Sequence, residues 1–319
     1  MDNKNILIET NNLHQYFNQG RGSKGTVHAL NGISLQVFEG ETLGLVGETG
    51  CGKSTFCRSV MRIYKPTKGS ILFEGKDITN LPERKLKKVR QSMQMIFQDP
   101  AESMNSRVNV GYVIEEPLII QTKMTSAQRK ERAYELLQLV GLPKDSYDRY
   151  PHEFSGGQRQ RIAIARALAL DPKIIVCDEA VSALDVSIQA QVLNLLLDLQ
   201  RDRKLTLIFI SHDLSVVRHM SDRVAVMYLG NVMEISSSKR IYEEAKHPYT
   251  TALISAIPQP DPTKKNKVVP NTGEIPSPID LPTGCPFHMN CPKCMDICKI
   301  DKPELKEVSP EHFIACHLY

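Results

Sequence analysis

The sequence predicts an α/β protein, and three observations carry that prediction. Residues 155–235 alternate helix-like and strand-like segments, as in a domain built on a largely parallel sheet. A short apolar strand, Thr42–Val46 (TLGLV), runs directly into the glycine-rich stretch Gly47–Thr55. Residues 5–75 carry the apolar pieces Ile6–Ile8, Ile33–Val37 and Ile71–Phe73 between Gly-containing turns, so a β-rich part comes first. Helices are expected over 82–95 and 125–140. The second places Ala133, Leu136, Leu137 and Val140 on one face and meets Gly141 as a stop. The Pro-rich segment 258–282 reads as a linker or extended wrap, and a cysteine-rich tail follows it.

The chain has 319 residues, enough for one large domain and a smaller appendage. Lys and Arg number 40 against 36 Asp and Glu, a net +4 with both signs mixed along the length. That pattern argues against a nucleic-acid binder, which concentrates its positive charge. The densest basic run, Pro82–Arg90, reads as the solvated face of a helix, with an acidic partner or lipid headgroups as the alternative. The opening MDNKNILIET lacks the basic-then-apolar plan of a secretory signal, and no apolar run approaches the ~18 residues of a spanning helix. The expectation is a cytosolic protein. Of eight cysteines, five crowd into the last 35 residues, which in a reducing compartment favours metal binding over disulfides.

The stretch Gly47-Glu48-Thr49-Gly50-Cys51-Gly52-Lys53-Ser54-Thr55 fits G-x-x-x-x-G-K-[ST]. Its glycines allow backbone N–H groups to turn inward around phosphate oxygens, and the helix behind them points its positive end the same way. Lys53 can reach the β- and γ-phosphates, and Ser54 can place a hydroxyl on Mg²⁺. This chemistry belongs to P-loop NTPases in general.

Further elements lie downstream. Ser155-Gly156-Gly157-Gln158 opens a helix-like run, Ile174–Asp178 is an apolar strand that continues into Glu179, and Ser182–Asp185 (SALD) follows. His212 stands just after the strand-like Leu205–Ile210, and Gln98 ends the strand-like MQMIF. A carboxylate at the end of a buried strand can hold Mg²⁺, and a second one beside it can polarise an attacking water. Together these segments, over residues 5–240, resemble the ABC ATPases, with the signature motif, Walker B, D-loop, H-loop and Q-loop in that family's order. Phe154 stands where the family often has Leu, and Ala180 where many relatives have Pro.

The resemblance implies a RecA-like core with an antiparallel β subdomain and an α-helical subdomain over about 99–165. It makes Glu179 the water-activating base, His212 a contact to the γ-phosphate and Gln98 a sensor of Mg²⁺ and water. Mg²⁺ would be held by Ser54, Gln98 and Asp178. It also implies a head-to-tail dimer in which ATP lies between one subunit's P-loop and the other's Ser155–Gln158 and Asp185. Phe17, rather than Tyr16, has the offset of the aromatic that stacks on adenine, with a core aromatic as the rival reading.

Within that family the chain resembles the second ATP-binding subunit of oligopeptide/dipeptide importers. The residues that carry this are Tyr150–Ser155, the run 181–196, AKHPYTTALISAIP (245–258) and GCPFHMNCPKCMDIC with Ala315-Cys316-His317. An ATPase domain over 1–245 and an extension over 246–319 follow. The implied partners are a second ATPase subunit, two permeases and an extracytoplasmic substrate-binding protein at the cytoplasmic face of the membrane, without nucleic acid. A nickel or other small-solute importer is the close alternative, and a repair or ribosomal ABC ATPase the distant one. Cys285, Cys291, Cys298 and Cys316 match the spacing of a [4Fe–4S] site in some of these importers and leave Cys294 over. Zinc and free thiols remain open at this point.

Overall fold

The structure is a computed structural model that describes residues 5–18, 25–100, 104–257 and 276–319. Most of the Pro-rich segment expected as a linker, 258–275, lies outside the described residues. Backbone contacts divide the chain into two compact units, one from 38–42 and 81–211 and the other from 5–37, 43–80 and 212–319.

In chain order, β1 (Ile6–Asn18), β2 (Thr26–Phe38), β3 (Thr42–Val46), α1 (Lys53–Val60), β4 (Lys68–Phe73) and β5 (Lys76–Asp77) come first. Next are α2 (Glu83–Ser92), β6 (Met93–Ile96), α3 (Val110–Gln121), α4 (Ser126–Leu139), α5 (Gly156–Leu168), β7 (Ile174–Asp178), α6 (Val186–Arg203) and β8 (Thr206–Ile210). The last third holds α7 (Leu214–Met220), β9 (Arg223–Tyr228), β10 (Asn231–Ser237), α8 (Ser238–Glu244), α9 (Pro248–Ser255), α10 (Asp296–Ile300), β11 (Lys306–Ser309) and β12 (His312–Ile314).

In the unit holding β6, β7 and β8, these strands pair in parallel, with Met93 opposite Ile174 and Ile174 opposite Thr206. Every residue of β7 and β8 is buried, which is why both read as unbroken apolar runs instead of alternating ones. The expected helix at 82–95 stops at Ser92, because Met93–Ile96 are taken as the edge partner of β7. Its basic face is solvated as expected, and Leu86 is the only residue of α2 that is buried. In α4, Thr125 and Gln128 form a reciprocal capping box, Ala133, Leu136 and Leu137 are buried, and Gly141 turns the chain out at φ 74°.

In the other unit, β2, β1, β4 and β5 form a sheet in that order, and β1 pairs antiparallel with β4. There β3, wholly buried, pairs in parallel with β9, and β9 continues antiparallel into β10. The cysteine-bearing tail has more of a core than its composition promised. Its β12 pairs with β10, and Phe287 is 1% exposed. His312 on β12 meets Glu234 on β10 at 2.7 Å with both side chains fully buried. Glu234 also accepts the N–H groups of Lys246 and His247 at 3.0 Å each, so one carboxylate ties β10, β12 and the start of α9 together.

Candidate functional site

The P-loop is delivered by β3, and three of its residues adopt backbone that favours glycine: Gly47 at φ 146°, Gly50 at φ 81° and Gly52 at φ 105°. A Cβ on Gly47 would lie 2.2 Å from the Met227 carbonyl oxygen, and one on Gly52 2.4 Å from that of Ala29. Both positions therefore need glycine for conformation and for space. Gly52 is the N-cap of α1, no side chain caps this helix and no acidic residue lies in its first turn. Its positive end carries no side-chain counter-charge of its own. Lys53 is buried and curls over the loop, donating to the carbonyls of Gly47 at 2.7 Å and Glu48 at 2.9 Å. Thr49 and Gly50 are exposed, and Ser54 and Thr55 are half-buried. Cys51 is 3% exposed, and burial pushes its thiol up, so it packs rather than reacts.

In the same unit, Phe17 at the end of β1 is half-buried and meets the Tyr64 ring edge-on at 5.2 Å. Tyr16 is tied elsewhere: its hydroxyl lies 2.9 Å from His14 Nδ1 and its ring 4.5 Å from that of His28. His212 is exposed, directly before Asp213, whose carboxylate caps α7.

The other unit holds the remaining candidates. Asp178 ends β7 and is 5% exposed. Glu179 follows at φ 51°, a left-handed conformation that costs a non-glycine residue about 1–3 kcal/mol. It is held by its N–H on the Ile210 carbonyl and by its own carbonyl, which accepts from the N–H and hydroxyl of Ser182. Strand β7 thus presents its two carboxylates on divergent backbone: the first continues the strand, the second breaks from it. Gln98 is exposed just beyond β6. Ser155 caps α5, accepting the Gln158 N–H at 3.3 Å while Gln158 accepts the Ser155 N–H at 3.0 Å. A Cβ on Gly157 would lie 2.1 Å from Ile188 Cγ2, and one on Gly156 3.4 Å from Leu184. Asp185 caps α6 through the Ile188 N–H at 3.0 Å, a bond that holds its carboxyl below the usual range. The signature residues and Asp185 are therefore brought together around Ile188. Phe154 and Ala180, the two departures from the family pattern, are both buried as packing residues.

Comparison with known proteins decides the family. The description "ABC transporter" matches residues 30–182, and "Oligopeptide/dipeptide transporter, C-terminal region" matches 233–298. The oligopeptide transport ATP-binding protein AppF of Bacillus subtilis is 52% identical over 99% of this chain and 98% of its own. The chain belongs to the ABC transporter ATP-binding proteins. Within that family, the oligopeptide transport ATP-binding protein OppF of Haemophilus influenzae is 48% identical over 99% of this chain and 98% of its own. Among solved structures, an ABC transporter subunit of Clostridium perfringens, cbiO1, aligns with a TM-score of 0.66 at 29% identity, covering 76% of this chain and 92% of its own. An ATP-binding cassette solved as a post-hydrolysis dimer with ADP and Pi aligns at 0.65 and 28% identity, over 73% and 99%. The ABC fold of mixed sheets and helices is thus shared, and the chain is an ATPase of this family.

This ABC subunit also has its cysteine tail in view. Cys285 and Cys298 are buried, Cys291, Cys294 and Cys316 half-exposed, and none of the five is joined in a disulfide. The Cys285 N–H donates to the Cys298 carbonyl at 2.8 Å. Burial pushes the Cys285 thiol up to about 11, and nearby Cys298, Cys316 and Cys291 add to the effect. Among the described residues, no three His, Cys, Asp or Glu side chains are placed to hold a metal ion. No helix among them is long and apolar enough to cross a membrane. One contact had no counterpart in the sequence reading: the P-loop residue Glu48 donates its N–H to the Tyr249 hydroxyl at 3.1 Å. Tyr249 lies in the AKHPYTT stretch, which the sequence reading used only as a mark of kinship.

Proposed function

We propose that this chain is the ATP-hydrolysing subunit of a peptide importer, acting on the cytoplasmic face of the membrane. The observation that carries this reading is Lys53 held over a loop of three positive-φ glycines at an uncapped helix start, in a chain related end to end to oligopeptide transport ATP-binding proteins. Residues Gly47–Thr55 bind the phosphates, Lys53 exchanging its two carbonyl acceptors for phosphate oxygens, and Phe17 stacks on the base. Glu179 orients and polarises the attacking water, and His212 and Gln98 contact the γ-phosphate side. Ser54, Gln98 and Asp178 would hold Mg²⁺, which supplies charge neutralisation on the phosphates when bound. Ser155, Gly156, Gly157, Gln158 and Asp185 serve the nucleotide of a second ATPase subunit in a head-to-tail heterodimer. Two permeases and an extracytoplasmic binding protein complete the assembly. The division into an ATPase domain, 1–245, and an extension, 246–319, belongs to the same proposal.

A [4Fe–4S] cluster on Cys285, Cys291, Cys298 and Cys316 is the finer part of this reading. Cys298 adds to the upward push on the Cys285, Cys291 and Cys316 thiols, which puts the four near one another. Among the described residues no three such side chains are grouped to hold a metal ion, so the cluster reading rests on the spacing of the four cysteines along the chain. When bound, the cluster would supply four iron–thiolate bonds that cross-link the tail.

Glu179→Gln tests the central claim. It is expected to keep ATP binding and to lose turnover by about 100-fold or more, measured as phosphate release in the assembled transporter. Wild-type turnover in that variant removes Glu179 from the chemistry. Protein purified without oxygen, assayed for iron and acid-labile sulfide, tests the cluster; colourless, iron-free protein overturns it.

A further inference from the structure

We infer that the hydroxyl of Tyr249 positions the nucleotide-binding lysine, and that this side chain couples the cysteine tail to the ATP site. The inference rests on the reading of Gly47–Thr55 as the phosphate-binding loop.

The geometry centres on a single peptide group, the one joining Gly47 to Glu48. Its carbonyl accepts from Lys53 Nζ at 2.7 Å, and its N–H donates to Tyr249 Oη at 3.1 Å. A peptide group is planar, so fixing the N–H fixes the direction of the carbonyl. Tyr249 therefore sets where Lys53 rests, although the two side chains act on opposite edges of that plane. The neighbouring peptide is braced as well: the Glu48 carbonyl accepts from Lys53 and from the Cys51 N–H, and the Cys51 carbonyl accepts from the Gly230 N–H. Of these braces, the Tyr249 hydroxyl is the one supplied from the C-terminal region.

The ring that carries this hydroxyl is 1% exposed and held by aromatic neighbours. Its centroid lies 4.7 Å from that of Tyr228 and 5.3 Å from that of Phe287, and Tyr228 and Phe287 meet at 5.4 Å. Phe287 stands between Cys285 and Cys291, in the cysteine tail itself. Three rings in mutual contact leave little freedom to the middle one, because a buried aromatic moves only when its neighbours do. Whatever orders the tail thus orders Phe287, then Tyr249, then the Gly47–Glu48 peptide and Lys53.

The test uses the full chain and reads ATP affinity by titration alongside thermal melting. Tyr249→Phe keeps the ring and deletes the hydroxyl. ATP affinity is expected to fall by about two- to tenfold, the range of one lost hydrogen bond, with the melting temperature lowered by only a few degrees. Tyr249→Ala should weaken ATP and lower the melting temperature together. Phe287→Leu should shift ATP affinity in the same direction as Tyr249→Phe. A Tyr249→Phe protein that binds ATP like wild type overturns the positioning role and leaves the ring a packing residue. A Phe287→Leu protein that melts lower yet binds ATP normally removes the tail from the relay. If wild type itself binds no ATP, the reading of the P-loop fails, which is a different result from either.

Discussion

Two glycine-rich helix starts in this chain look alike in sequence and behave differently in structure. Gly47–Ser54 and Ser155–Gln158 both place glycines and a hydroxyl at the head of a helix, and both read as anion-binding N-termini. At the P-loop the glycines serve conformation, since Gly47, Gly50 and Gly52 all have positive φ. At the signature segment the glycines are helical, and what Gly157 supplies is room for Ile188. Their caps differ too. The P-loop helix has no side-chain cap, whereas Ser155 and Gln158 already satisfy two N–H groups between them. A third start, at α9, is capped by an imidazole: His247 Nδ1 accepts the Tyr249 N–H at 3.1 Å. The lesson is that a helix start left uncapped keeps its donors for a ligand, and one that is capped spends them on its own chain.

The largest expected effect sharpens the first of these. Lys53→Ala removes the cation that closes over the uncapped start and should weaken ATP binding by about 10- to 100-fold, the range for a charged hydrogen-bond partner. A titration showing unchanged affinity would erase the distinction between the two starts. Gly157→Ala comes next. The added methyl meets a β-branched side chain with few rotamers to retreat into, so stability should fall by about 1–3 kcal/mol in denaturant unfolding. ATP binding at the P-loop of the folded variant should persist, because the glycine serves packing.

The imidazole cap responds to pH. Burial pulls His247 down to about 4 from its ordinary value of 6.5. The folded form therefore resists a proton that the unfolded chain accepts, so this contribution is fully present above pH 6.5 and is lost as pH falls through 6.5 toward 4. Between pH 7.5 and 5.5 the loss should be about 1.4 kcal/mol, read as a shift in denaturant midpoint. His247→Asn keeps a side-chain acceptor at the cap and should flatten that limb. The smallest effect belongs to Ser155→Ala, which deletes a solvent-exposed cap and should cost about 1 kcal/mol. If Ser155→Ala leaves folding untouched but slows ATP turnover in the assembled transporter, the Ser155 hydroxyl serves the ligand more than its own helix.

Much of this molecule was legible in one dimension because its chemistry is local. The P-loop needs glycines and a lysine within nine residues, and β7 needs an apolar run that ends in an acid, so order and spacing alone carry them. The helix at 125–140 was readable from its period and Gly141. At Met93 two local readings overlapped, a helix over 82–95 and the strand-like MQMIF, and pairing with the edge of β7 decided for the strand. The capping of α5 was present in the letters, since Ser155 and Gln158 stand three apart. Its consequence, a start with fewer donors to spare, emerged only with the coordinates.

By itself, then, the sequence determined the family, the glycine-and-lysine loop after β3 and the acid-ended strand β7, because each is a short run that depends on neighbours in the chain. Tertiary structure decided what surrounds them. It brought Tyr249 to the Glu48 N–H across 201 residues and set His312 against Glu234 across 78. It also gave the cysteine tail a strand partner and a buried phenylalanine. Such contacts leave no periodic trace, because they join single residues whose meeting depends on how β9, β10 and the tail pack, and no spacing in the chain encodes that distance.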